Sequence, residues 1–172
     1  MEHQKEQKRE LRFRRAAESD LEALWEIETI CFPPYEVVER ENLVRRLAVC
    51  PDEFLLAEDA AEQSICGYIG GICAEKPELT DEMFSGHVRH EPEGKHLMIL
   101  GLEVRPEYRS KGLAGDLMRR WLEDARRREL ETCVLTCHEY LVPYYQRFGF
   151  QLQGLSDSVW GGTEWYDMIC PL

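Results

Sequence analysis

Apolar and charged positions alternate over Leu11 to Arg15, the pattern of a strand with one wet face. Glu18-Ser19-Asp20 then offers capping side chains and negative charge for a helix start. Leu21, Leu24, Trp25 and Glu28 recur at helical spacing, with Ile27 and Ile30 widening the face. Pro33-Pro34 removes two donors, so this helix stops by Phe32. A second helix is predicted from Val38 to Val49, with Leu43, Val44 and Leu47 inward and Pro51 ending it. Phe54 to Ala57 reads as a strand, Asp59 to Ser64 as a hairpin turn and Ile65 to Cys73 as the partner strand. Gly67, Gly70 and Gly71 interrupt that partner and point to a bulge or a close backbone approach.

The stretch from Glu75 to Lys95 is polar, with Pro77, Gly86, Pro92 and Gly94 around a short helix near Thr80 to Phe84. In a compact domain such a connection is commonly functional or disordered. Lys95 to Val104 is the most buried-looking strand, Arg105 to Lys111 a polar turn, and Leu113 to Leu130 a helix with Leu117, Met118, Trp121, Leu122 and Ala125 on one side. Cys133 to Cys137 is a strand and Leu141 to Arg147 a short helix, and Phe148 to Leu155 with Trp165 to Cys170 make closing strands. Hairpins mixed with one β-α-β crossover predict an α/β sandwich on a mixed sheet, its parallel part spanning the crossover.

Composition narrows the partners. The 172 residues carry 33 Asp+Glu against 21 Lys+Arg, a formal net charge of −12. At roughly 100–200 residues per domain this is one domain, running over residues 11–172 after a charged, disordered segment at residues 1–10. The charge deters phosphate backbones and anionic lipid, so no nucleic acid and no membrane is expected as partner, and a cationic one is favoured. No apolar run approaches the roughly 20 residues needed to cross a bilayer, and MEHQKEQKRE lacks the apolar core of a signal peptide. Seven scattered cysteines, none in a CxxC pair, read as reduced core thiols of a cytoplasmic protein. His87 and His90 lack a third ligand at metal-binding spacing, so no metal is expected.

Chemistry concentrates in Leu102-Glu103-Val104-Arg105-Pro106-Glu107-Tyr108-Arg109-Ser110-Lys111-Gly112-Leu113-Ala114-Gly115. A buried strand ends, a glycine-bearing turn follows and a long helix begins, presenting unpaired N–H groups and the positive dipole end that together bind phosphate. Gly112 and Gly115 would let a phosphate approach the main chain without meeting a Cβ. The stretch lacks Gly-Lys-Ser/Thr and Gly-x-Gly-x-x-Gly, so it is neither a Walker loop nor a dinucleotide fingerprint.

Arg109-x-x-Gly112-x-Ala114 after an apolar strand resembles the pyrophosphate loop of the GNAT N-acetyltransferases. Leu135-Thr136-Cys137 followed by Leu141-Val142-Pro143-Tyr144-Tyr145-Gln146-Arg147-Phe148-Gly149-Phe150 is similar to the arylalkylamine (serotonin) N-acetyltransferases, as is Trp25-Glu26-Ile27-Glu28 leading to Phe32. The Val-Pro-x-Tyr-x-x-Phe-Gly-Phe segment is much the more specific signal. The resemblance runs from Leu11 to the C-terminus and implies the acyl-CoA N-acyltransferase fold: a mixed, mostly antiparallel sheet with a splayed parallel strand pair and helices on both faces. It implies acetyl-coenzyme A as co-substrate, lying where strand 97–104 parts from strand 133–137. Backbone groups of Leu102, Glu103 and Val104 would pair with the pantetheine arm. Arg109 and the amides of Ser110, Lys111, Gly112, Leu113, Ala114 and Gly115 would hold the pyrophosphate. Leu102 would also border the acceptor pocket, where a backbone N–H polarises the thioester carbonyl.

Amide formation from a thioester needs a neutral amine and a leaving thiolate that gains a proton. A primary alkylamine of pKa ~10.4 is about 0.04% neutral at pH 7, and deprotonating it costs about 4.6 kcal/mol, so a base or a wired water helps. The thiolate resembles cysteine, near ~8.5, and a phenol near ~10 can reprotonate it. The resemblance gives that acid role to Tyr145; read alone, it is an amphipathic core tyrosine. The resemblance also calls for two pocket-facing histidines where this chain has Met98 and Leu100, and His96 lies one alternation too far back. His138, just beyond the strand ending at Cys137, and Glu28, at the end of the first helix, are the substitutes, beside water alone. Cys137 itself reads as a core thiol rather than an acetyl carrier.

Cys31-Phe32-Pro33-Pro34-Tyr35-Glu36 is expected to form a rigid aromatic wall of the acceptor site, with Phe32 and Tyr35 against an aryl ring or a cation and Glu36 drawing the ammonium. Glu75, Glu78, Asp81 and Glu82 offer the same to a polyamine. The expected activity is acetyl transfer from acetyl-coenzyme A to a small-molecule amine, an arylalkylamine or polyamine, by a monomer or homodimer. A protein or peptide amine acetyltransferase and a non-catalytic coenzyme A-binding module are the alternatives.

Overall fold

The computed structural model describes residues 9–87 and 89–172. In chain order these form β1 (Leu11–Arg15), α1 (Leu21–Cys31), α2 (Arg40–Val49), β2 (Phe54–Asp59), β3 (Ser64–Ala74), α3 (Asp81–Phe84), β4 (His96–Val104), α4 (Leu113–Arg127), β5 (Thr132–Cys137), α5 (Val142–Gln146), β6 (Gln151–Leu155) and β7 (Tyr166–Pro171). The strands make one sheet in the order β1-β2-β3-β4-β5-β7-β6. Every pairing is antiparallel except β4–β5. Of the expected disordered segment, residues 1–8 lie outside the described residues; Arg9 sits 4.5 Å from the Tyr108 ring centre and the Glu10 carbonyl accepts the Ala60 N–H.

Helices cover both faces. On one, Leu24 and Ile27 of α1 and Leu43 and Leu47 of α2 pack on Phe54, Leu56 and Tyr68. On the other, α4 sets Leu117, Met118, Trp121, Leu122 and Ala125 against Leu97, Ile99, Cys133 and Leu135. Each such large side chain contributes roughly 1.5–3 kcal/mol by leaving water.

Local details depart from expectation at element ends. Asp20 does not cap α1: its carboxylate accepts the Ala17 N–H at 2.8 Å and pairs with Arg14. The second helix starts at Arg40 rather than Val38, because residues 33–37 turn on the Pro33 carbonyl and the Val38 N–H is claimed by Glu28. α4 ends at Arg127, three residues early. Glu129 takes φ 56° there, the Leu130 N–H returns to the Ala125 carbonyl and the Glu129 N–H to Arg126, closing a Schellman motif. A turn at Gly149, with φ 96°, delays β6 to Gln151.

Two features of β4 create the site. It pairs with β5 over His96–Thr132, Leu97–Cys133 and Met98–Val134, and then the strands part. Meanwhile β4 stays paired with β3 to Val104 and β5 with β7 to Cys137, so the opening is a wedge within a continuous sheet. At the same level β4 bulges: Gly101 opposes Gly70 and Ile99 opposes Gly71, leaving Leu100 unpaired. A Cβ on Gly71 would lie 1.8 Å from the Met98 carbonyl oxygen, so the close approach expected of the β3 glycines falls here. The extra residue shifts the alternation. Leu97 and Ile99 before it, and Leu102 and Val104 after it, face the α4 cluster, which turns Glu103 to the face of α1.

Candidate active site

The wedge between β4 and β5 opens into a cleft of about 790 Å³. The residues singled out from the sequence as catalytic or cofactor-binding line it except Lys111, which is exposed, and Phe32, Tyr35 and Glu36 of the expected acceptor wall line it too; Glu75, Glu78, Asp81 and Glu82, offered to a polyamine, do not. Met98 and Leu100 belong to an apolar cluster with Cys50, Ile72, Met83 and Val134, and Leu100 also lines the cleft, so the two positions where the resemblance calls for histidines are apolar here. His96 is outside the cleft, its Nδ1 at 2.8 Å from Thr132 Oγ1.

The turn between β4 and α4 is held from several sides. Tyr108 donates to Asp59 at 2.8 Å, and Arg105 spans from the Ile65 carbonyl to Glu26. Arg109 folds back: its Nε donates to the Val104 carbonyl at 2.9 Å and Nη2 lies 3.4 Å from Cys31 Sγ. Arg109 therefore braces the strand end rather than standing free. Ser110 and Gly112 both take positive φ, 63° and 83°, and α4 starts at Leu113, its first residues Leu113, Ala114 and Gly115 lining the cleft. A Cβ on Gly112 would meet nothing within 4 Å, so the glycine serves the left-handed backbone and not a tight contact.

Tyr145, on α5, lines the cleft with edge-to-face contacts to Tyr144 at 5.2 Å and Phe150 at 6.0 Å. Loss of solvation raises its phenol above the ordinary tyrosine value, with Cys137 and neighbouring tyrosines adding to the rise, so it keeps its proton at neutral pH. Cys137 Sγ faces Met168 Sδ at 3.7 Å and burial pushes its thiol up to about 11, which makes it a core thiol.

Across the cleft the bulge in β4 brings Glu103 beside Tyr68, its partner on β3, and near Glu28 of α1. Glu28 accepts from the Val38 N–H at 3.1 Å and from the Tyr68 hydroxyl at 3.3 Å. Among the described residues neither carboxyl oxygen of Glu103 has a hydrogen-bond partner within 3.5 Å, and one would sit 2.3 Å from a Cβ at position 101, so Gly101 leaves room for it. Burial, then the Glu28 charge, raises Glu103 well above the ordinary carboxyl value. Sequence reading used Glu103 for its backbone; the bulge that gives its side chain a place in the floor had only the β3 glycines as a signal.

The acceptor wall also differs from expectation. Glu36 is not a free ammonium acceptor: it is buried, and its Oε1 lies 3.1 Å from His138 Nε2. Trp165, read from the sequence as the start of the last strand, and Trp160, which that reading left unassigned, line the cleft, and Trp165 stacks on His138 at 4.2 Å. Asp81 is likewise engaged, holding the Ser158 hydroxyl and the Val159 N–H. Among the described residues one trio of metal-capable groups comes together, Glu53, Cys73 and His90, away from the cleft; Arg128 already forks onto Glu53 at 2.6 and 3.1 Å. His87 turns instead to Ser85.

This arrangement has relatives. The chain is 28% identical over 127 residues to serotonin N-acetyltransferase of Mesocricetus auratus, covering 73% of this chain and 59% of that protein. With the serotonin N-acetyltransferase of Macaca mulatta it shares 28% over 160 residues, covering 83% of this chain and 77% of the other. The GphF GNAT-like decarboxylase in complex with isobutyryl-CoA superimposes with a TM-score of 0.80 at 22% identity, over 93% of this chain and 98% of that one. Residues 21–150 match the sequence model of the acetyltransferase (GNAT) family, and with most of the chain inside that match, the protein belongs to the GNAT family of acetyltransferases.

Proposed function

We propose that this protein transfers the acetyl group of acetyl-coenzyme A to the primary amine of a small cationic acceptor, an arylalkylamine or a polyamine, by direct attack. The carrying observation is that one cleft joins the α4 amides, Tyr145 and the acidic floor of Glu28 and Glu103. Past Met98 the β4 edge facing β5 has no strand partner, which suits main-chain pairing of Leu102, Glu103 and Val104 with a pantetheine arm. The turn at Ser110 to Gly115 suits the pyrophosphate. Phe32 and Tyr35 flank the acceptor end, and the Glu28 carboxylate in the same cleft attracts an ammonium in keeping with the net charge of −12.

In this reading the amine nitrogen attacks the thioester carbonyl carbon, a C–N bond forms and the C–S bond breaks. The nitrogen's proton passes to His138 or Glu28, and the Tyr145 hydroxyl gives its proton to the departing sulfur. With the phenol above ~10 and the thiol near ~8.5, that last transfer is uphill by at least about 2 kcal/mol, small against an enzymatic barrier and repaid when the amine's proton is redistributed. Buried free thiols fit a reducing, cytoplasmic setting.

Thiol release from acetyl-coenzyme A across a panel of arylalkylamines and polyamines tests the proposal. Turnover with at least one amine is expected. Tight acetyl-coenzyme A binding without turnover of any amine would leave a binding module in its place.

A further inference from the structure

We propose that Glu36 is the positioning residue for His138, fixing the imidazole so that Nδ1 receives the proton of the attacking amine. This deepens the reading above and rests on it. A carboxylate can only accept, so the 3.1 Å contact from Glu36 Oε1 to His138 Nε2 puts the ring's hydrogen on Nε2. In the neutral ring Nδ1 then carries the lone pair, and His138 lines the cleft. Among the described residues Glu36 is the sole ion-pair or hydrogen-bond partner of the His138 side chain.

The pair is part of a closed circuit of contacts. The Trp160 indole N–H donates to the Glu36 carbonyl at 2.9 Å, and the Trp165 indole N–H donates to the Trp160 carbonyl at 2.8 Å. Trp165 then stacks on the His138 ring at 4.2 Å, with the planes 23° apart, and Tyr140 stacks on it at 5.7 Å. Position, ring plane and tautomer are thus each fixed by a different contact. Gly161 lets the loop close: it takes φ 65°, and a Cβ there would lie 2.9 Å from both Glu36 Cγ and the Tyr35 carbonyl oxygen. An acceptor wall with no catalytic duty needs neither a buried carboxylate nor an imidazole locked in one tautomer. Glu28 is the poorer proton acceptor, because each of its oxygens already accepts a hydrogen bond.

The reaction step balances without a co-reactant. As the C–N bond forms, the nitrogen's proton moves to His138 Nδ1. The imidazolium formed is stabilised by Glu36, and Tyr145 supplies the proton that sulfur takes as the C–S bond breaks.

Steady-state thiol release with wild type, Glu36→Gln, His138→Gln and the double variant tests this, each checked by thermal melting. Glu36→Gln is expected to lower kcat about 10- to 100-fold with the amine KM within about twofold, and to add nothing in the His138→Gln background. A raised amine KM at unchanged kcat, an undiminished effect of Glu36→Gln in the His138→Gln background, or full activity of His138→Gln overturns the inference while leaving amine acetylation standing. No turnover of any amine by wild type overturns both. Independently of any variant, the imidazole ¹⁵N spectrum of wild type is expected to show His138 as the Nε2–H tautomer, and the Nδ1–H tautomer overturns the positioning role.

Discussion

The two halves of the cleft are built in opposite ways. The half proposed to hold the cofactor is one continuous stretch, β4 running through a turn into α4, although Asp59, Ile65 and Glu26 brace that turn from outside it. The acceptor half is assembled from the turn after α1, the end of β5 and the loop before β7. Its hydrogen bonds join residues 102 apart at Glu36–His138 and 124 apart at Glu36–Trp160. A site that must hold a constant nucleotide can be encoded locally, whereas one shaped to a particular acceptor is made where distant segments meet.

The sharpest break in this comparison would come at Tyr145, which both halves share. Tyr145→Phe is expected to lower kcat about 100-fold or more with the acetyl-coenzyme A KM unchanged, measured by thiol release; equal turnover removes the phenol from the mechanism. Next in size is a pH effect from the floor. Burial keeps Glu103 protonated above the ordinary carboxyl value of 4.5, so over that window the folded chain holds a proton that the unfolded chain has released. Stability should therefore fall as pH rises above 4.5, by up to about 1.4 kcal/mol per pH unit, and Glu103→Gln should remove that slope. Melting temperatures of the two proteins from pH 4.5 to 8 check it, and a difference independent of pH would contradict a buried, proton-holding carboxyl.

Smaller effects sharpen the local character of the cofactor half. Gly112→Ala forces a side chain into φ 83° and is expected to cost about 1–2 kcal/mol, seen as a lower melting temperature and a higher acetyl-coenzyme A KM, with the amine KM unmoved. A matching rise in amine KM would show the halves to be coupled. Least of all, Arg119→Ala breaks an exposed pair with Asp116 on α4 and should shift stability by under about 0.5 kcal/mol.

How far these outcomes were readable beforehand differs residue by residue. Pro33-Pro34 ended α1 where expected because a missing donor acts within one turn of chain. Gly112 was singled out by the strand–turn–helix spacing and Tyr145 by the resemblance, since alone it reads as a core tyrosine; both line the cleft. Glu103 escaped because the Leu100 bulge inverts the alternation after it, and no strand pattern reveals on which side of a bulge a given residue falls. Glu36 was read as a free carboxylate for want of its partner, and Trp165 as a strand residue although β7 starts one residue later and its ring stacks on His138.

By itself, then, the order of residues determined the elements, the sheet's one β-α-β crossover and the turn that opens α4, since propensity, proline and glycine geometry and hydrophobic period act over a few residues. Only the tertiary structure decided where β4 leaves β5, which acid faces the cleft and what His138 binds. Those depend on register and on contacts across more than a hundred residues, where burial and pairing set the energy and local preference has no say.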